Sequence, residues 1–147
     1  MLRCKTIHLI LGNHDEHIEA NRQIALPKEE HARFYALDLF MDDMVGSSLY
    51  TTTRMLFESV SHYKEITIDK QKICMSHYSM RIWNKANKGA IMLYGHSHGS
   101  LPEETNRRSM DVGVDTNHLK PYLLKDIIEK LNKRPIINVD HHSEATN

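Results

Sequence analysis

Three short stretches set histidine beside amide or carboxylate side chains directly after apolar runs: Gly12-Asn13-His14-Asp15, Ser76-His77-Tyr78 and Gly95-His96-Ser97-His98. Imidazole nitrogen and amide oxygen suit divalent Zn, Fe or Mn. The chain carries eleven histidines, and since histidine is also an ordinary core and surface residue, spacing has to decide which ones matter. The double histidine is the sharpest signal. Ile91-Met92-Leu93-Tyr94 runs straight into Gly95, and His96 and His98 follow one residue apart. Glycine permits the sharp turn that puts both rings just beyond the end of the run.

The elements behind these stretches are strands. A continuous apolar run suits a strand covered on both faces, and in open α/β sheets ligands bind at the carboxyl ends of strands. Residues 6–11 give a second such strand, emptying into Asn13 and His14; residues 63–68 and 72–75 flank Asp69-Lys70-Gln71 as a hairpin whose second arm delivers His77. Residues 109–114 predict a further strand ending at Asp115. Helices are expected over 16–25, again from Pro27-Lys28-Glu29-Glu30 onward with Leu37, Phe40, Met41 and Met44 as its apolar face, and over 122–133. The last is the clearest: Leu124, Ile127, Ile128 and Leu131 repeat at helical spacing between Pro121 and Pro135. Residues 46–53 and 101–106 read as loops, and 80–87, with Arg81 and the single tryptophan Trp83, as short helical or irregular chain.

Composition narrows the class. The chain has 147 residues, 40% apolar and 26% charged, with formal net charge zero. That is enough for one domain with a core, and no basic stripe or acidic tail points to nucleic acid or membrane as partner. Cys4 and Cys74 are too few for a disulfide framework and read as reduced thiols, and no secretory signal precedes them, so a cytoplasmic protein is expected. No stretch approaches the ~20 apolar residues a spanning helix needs.

Gly12-Asn13-His14-Asp15, then Ser76-His77, then Gly95-His96-Ser97-His98, in that order and each at a strand end, resemble the calcineurin-like metallophosphoesterases. The resemblance spans residues 7–115; Trp83 after His77, and Val112-Gly113-Val114-Asp115 after the double histidine, are also similar to the small bacterial members. It implies an α/β fold, a two-sheet sandwich with helices outside, over residues 1–135 with 136–147 as a tail. It further implies that Asn13, His77 and His96 hold one divalent metal (Mn, Fe or Zn), that His98 holds its neighbour, that Asn13 and His14 meet the phosphate, and that Asp15 orients His14. Two metals ~3.5–4 Å apart would ionise a water and clamp the phosphate oxygens of a phosphomonoester or phosphodiester. A cationic His14 would serve the leaving oxygen.

The chain departs from the family pattern. An Asp-x-His and a Gly-Asp, whose aspartate bridges the two metals, precede the first of these motifs in the family, and residues 1–11 contain no aspartate. Either Met1 is an internal start in a longer protein or the first βαβ unit is missing. At most one metal site is then well formed, turnover by this chain is weak or absent, and the bared apolar flank of the 7–11 strand invites a second copy. Beside the phosphoesterase stands an alternative: a non-catalytic metal-binding fragment stabilised by self-association. Asp140-His141-His142 resembles the signature of the unrelated DHH phosphoesterases, but the chain ends five residues later, and a histidine-containing tail is the simpler reading. Trp83 and Tyr78 line a cleft or pack, Arg81 meets phosphate or, the simpler reading, is a solvated arginine, His8 is a satisfied or flanking histidine, and Asp115 and His118 take no ligand role.

Overall fold

The computed structural model describes residues 6–25 and 50–138. The helix expected from Pro27, the loop residues 46–49, Cys4 and Asp140-His141-His142 lie outside the described residues. The chain divides into two compact units, Met1–Ser61 and His62–Asn147. The class is α/β, with three sheets and few helices among the described residues.

In the first unit, β1 (His8–Ile10) pairs in parallel with β4 (Ser59–Ser61). Glu58 N–H donates to the Ile7 carbonyl at 2.8 Å and Leu11 N–H to that of Ser61 at 2.9 Å, extending the ladder at both ends. His8 is a flanking histidine, its Nδ1 2.8 Å from Ser59 Oγ. The helix expected over 16–25 is only one turn, α1 (Glu16–Glu19), and residues Gln23–Ala25 form β2, antiparallel to β3 (Tyr50–Thr52). Two causes end the helix early. Asn21 sits at φ 50°, outside the helical region, and Arg54 takes the carbonyls the next turn would use, Nε donating to Ile18 at 3.3 Å and Nη2 to Glu19 at 3.4 Å. Part of the loop expected over 46–53 is therefore strand, completed by a partner far away in sequence, and Thr53–Leu56 closes it with a 3₁₀ turn.

The second unit is a four-stranded sheet in the order β5 (Tyr63–Ile68), β6 (Gln71–Ser76), β7 (Ile91–Tyr94), β8 (Ser109–Asp111). β5 and β6 form the expected hairpin, joined by Asp69 and Lys70 at φ 48° and 67°. Positive φ at both central residues is the turn whose twist matches the strands. β6, β7 and β8 run parallel. Alternate side chains point to opposite faces. Ile73, Ile91, Leu93 and Met110 share one face, closed by Ile127 and Leu131 of α2 (Leu124–Asn132). Cys74, Met92 and Tyr94 share the other, closed by Trp83 and Ala90. All four residues of β7 are buried, which is why its sequence shows no polar alternation. Trp83 packs, its Nε1–H donating to the Ala90 carbonyl at 3.0 Å. Cys74 is a free thiol with no exposure, and burial pushes its pKa up.

The strand expected over 109–114 stops at Asp111, because that carboxylate turns back onto the Gly113 N–H at 2.9 Å and residues Val114–Asn117 wind into a 3₁₀ turn. Among the described residues, no helix is long and apolar enough to cross a membrane.

Candidate metal centre

Parallel register gathers the second unit's polar residues at one sheet edge. Met75 is opposite Leu93, and Tyr94 is opposite Asp111, so β6, β7 and β8 end together. Just past those ends Gly95 N–H donates to the His77 carbonyl at 3.1 Å, and Val112 N–H to that of Tyr94 at 2.8 Å. His77 is half-buried and His96 exposed.

His77 Nε2 and His96 Nδ1 face each other at 3.2 Å. Tyr78 stands edge-on to both rings, its centroid 4.9 Å from that of His77 and 4.7 Å from that of His96. The two rings are in hydrogen-bond contact, and the same separation suits a shared cation. Two nitrogens each about 2.1 Å from one ion lie roughly 3.0–3.4 Å apart as the angle between them opens from a right angle to tetrahedral. The donor chemistry and spacing of this pair therefore fit a divalent ion. Among the described residues, no group of three or more histidine, cysteine, aspartate or glutamate side chains is arranged to hold one. A third ligand has to be an amide, a water, a substrate oxygen or a group outside those residues.

The turn carrying His96 and His98 is unusual backbone. His96 has φ 64°, His98 49° and Gly99 73°. Ser97 N–H donates to the Gly95 carbonyl at 2.7 Å and Ser100 N–H to that of Ser97 at 2.8 Å, closing the turn from within. His98 Nδ1 is bound to Asp115 Oδ2. A carboxylate on Nδ1–H fixes the tautomer that leaves Nε2 as the basic nitrogen, the usual arrangement behind a ligating histidine. Asp115 thus has a positioning role where the sequence suggested none. The signal was its place after Val112-Gly113-Val114, and an aspartate there reads equally well as turn chemistry.

Asn13, His14 and Asp15 belong to the first unit, where they follow β1 as expected. Asn13 and His14 are exposed. Asp15 Oδ2 accepts from the Gly12 N–H at 2.7 Å, and the Asp15 N–H donates to the Gly12 carbonyl at 3.3 Å. The carboxylate expected to orient His14 closes this turn. The structure thus brings His77 and His96 together, ties His98 to Asp115, and presents Asn13 and His14 on a separate turn.

Comparison of the chain with protein-family models, with characterised proteins and with solved structures finds no match.

Proposed function

We propose that this chain carries the metal-binding edge of a calcineurin-like phosphoesterase, acting on a phosphomonoester or phosphodiester. The observation that carries the reading is the His77–His96 pair, two imidazole nitrogens 3.2 Å apart beyond adjacent parallel strands. On this reading His77 and His96 hold one divalent cation of the Mn, Fe or Zn type, and His98, oriented by Asp115, serves a second. The bound metal would supply a Lewis acid for the phosphate oxygens and acidify a water. Tyr78 flanks the pair and shields one side of it. The setting is cytoplasmic, the architecture is the family's two-sheet sandwich, and the chain associates with a second copy of itself.

A second reading, a metal-binding fragment without catalysis, rests on the same His77–His96 pair, which could hold a cation without acting on a phosphate. The deciding experiment titrates the metal-free protein with Zn²⁺ and Mn²⁺ calorimetrically, beside His77→Ala and His96→Ala, and assays an aryl phosphate ester. Saturable binding lost in both variants supports the metal site, and slow metal-dependent turnover favours the enzyme over the fragment. Binding unchanged in either variant refutes the site.

A further inference from the structure

Beside the Asp115 contact to the His98 ring, a second carboxylate grips the backbone of the double-histidine turn. Left-handed φ is uncommon for residues with a side chain, and several in succession persist only where the surroundings over-determine them. His96, His98 and Gly99 all lie there, at 64°, 49° and 73°. Asp111 at the end of β8 reaches across to the turn. Its Oδ2 accepts from Ser97 Oγ at 2.8 Å and from the Gly99 N–H at 3.0 Å, while Oδ1 accepts from the Gly113 N–H at 2.9 Å. Those donors bracket His98 on either side, and they tie it to the segment that also carries Asp115. Gly113 makes the approach feasible: a Cβ there would stand 3.1 Å from Asp111 Oδ1 and 2.7 Å from Asp115 Oδ1.

We propose that Asp111 is the positioning residue of the double-histidine turn, its carboxylate holding Ser97 and Gly99 so that His96 and His98 keep the left-handed conformations that present their rings, with Gly113 giving it and Asp115 room. The consequence for metal binding rests on the function proposed above; the conformational claim does not. Asp111 holds the turn at Ser97 and Gly99, the residues on either side of His98. An amide in its place can keep its one acceptor oxygen on Ser97 and Gly99, which share Oδ2, and lose only Gly113; alanine accepts from none of the three.

The test compares Asp111→Ala, Ser97→Ala and the unaltered chain by two readouts. The first uses no metal: Cα and Cβ chemical shifts and three-bond HN–Hα couplings of His96 and His98, with the methyl resonances of Ile73, Ile91 and Leu131 reporting the core. The expected result for Asp111→Ala is loss of the left-handed signature at both histidines with the core signals unmoved, and a partial change for Ser97→Ala, which removes one bond of the three. The second is calorimetric titration with Zn²⁺, where Asp111→Ala is expected to weaken binding about 10–100-fold, as loss of a ligand's support does elsewhere. Left-handed signatures retained in Asp111→Ala overturn the proposal, and so does a lost signature with unchanged Zn²⁺ affinity. If Asp111→Ala does not fold, unchanged shifts in Ser97→Ala overturn it. Should the unaltered chain bind no Zn²⁺, the proposed function fails, and the metal-free shifts alone decide the role of Asp111.

Discussion

Replacing Arg134 with methionine should destabilise the second unit by about 2–4 kcal/mol. Arg134 follows α2, is 8% exposed, and points its guanidinium into the approach to β8. Nη1 donates to the carbonyls of Glu104 at 3.1 Å, Arg107 at 3.1 Å and Ser109 at 2.7 Å, and Nη2 donates to Glu103 Oε1. The three bonds do not count equally. Glu104 is exposed and Arg107 half-buried, so water can replace the guanidinium there, whereas Ser109 is a buried strand residue whose carbonyl would be left without the donor, at about 1–3 kcal/mol. The ion pair adds less than a fully buried one, for which breaking costs about 3–5 kcal/mol, because Glu103 is 55% exposed and also meets Lys130 Nζ at 2.8 Å. Methionine keeps the apolar stem volume and so isolates the polar loss. Guanidinium denaturation of the unaltered chain, Arg134→Met and Arg134→Lys should give a graded series, lysine intermediate because it is a single point donor. A loss below about 1 kcal/mol for methionine would mean that solvent satisfies these carbonyls and that the reasoning is wrong.

Two further outcomes follow from side chains that the described structure pairs. Glu65 accepts from Tyr63 Oη at 2.8 Å and Asn84 Nδ2 at 3.0 Å and pairs with Lys72 Nζ at 2.6 Å; the bond from Lys72, then those from Tyr63 and Asn84, lower its pKa from 4.5 to about 2. A folded value below the unfolded one means its contribution is whole above pH 4.5 and drains as pH falls toward 2; urea midpoints measured across that window should fall, and Glu65→Gln should flatten that slope, an unchanged slope counting against the pairing. Asp115→Ala should release the His98 ring, so that ring ¹⁵N spectra lose the Nδ1–H preference and Zn²⁺ affinity drops about 10–100-fold with little change in melting temperature; an unchanged tautomer would dismiss the Asp115 contact.

What was legible in the sequence was the part decided locally. Four apolar residues before Gly95 announced a strand buried on both faces, the spacing of Leu124, Ile127, Ile128 and Leu131 announced α2, and Asp69-Lys70-Gln71 marked a hairpin turn, of which Gln71 belongs to β6. The misread segments are those settled by distant partners. Nothing in residues 16–25 reveals that Arg54 will take the carbonyls of Ile18 and Glu19, and nothing in residues 50–52 reveals that they will pair with 23–25. In the candidate site the histidines stood out because their residue type is chemically distinctive. Asp111 and Asp115 did not, because an aspartate near glycine is ordinary turn material until the segment it grips is known.

The register of the second sheet shows why those aspartates matter beyond one turn. Side chains on both faces of β6 and β7 are apolar, so alternation alone specifies their pairing weakly, and a one-residue slip would exchange one buried set for another. Polar pins at the two ends remove the ambiguity. At one end Gln71 Nε2 donates to the Gly89 carbonyl at 3.0 Å, and Trp83 Nε1 to that of Ala90. At the other, Asp111 grips Ser97 and Gly99. A slip of β7 against β8 would break the Asp111 bonds and carry His96 and His98 away from Asp115 at once. The contacts that present the histidines are thus also contacts that select the strand pairing, and substitutions in 111–115 should disturb register and ring placement together, whereas a core substitution such as Leu131→Ala should lower stability and leave both intact.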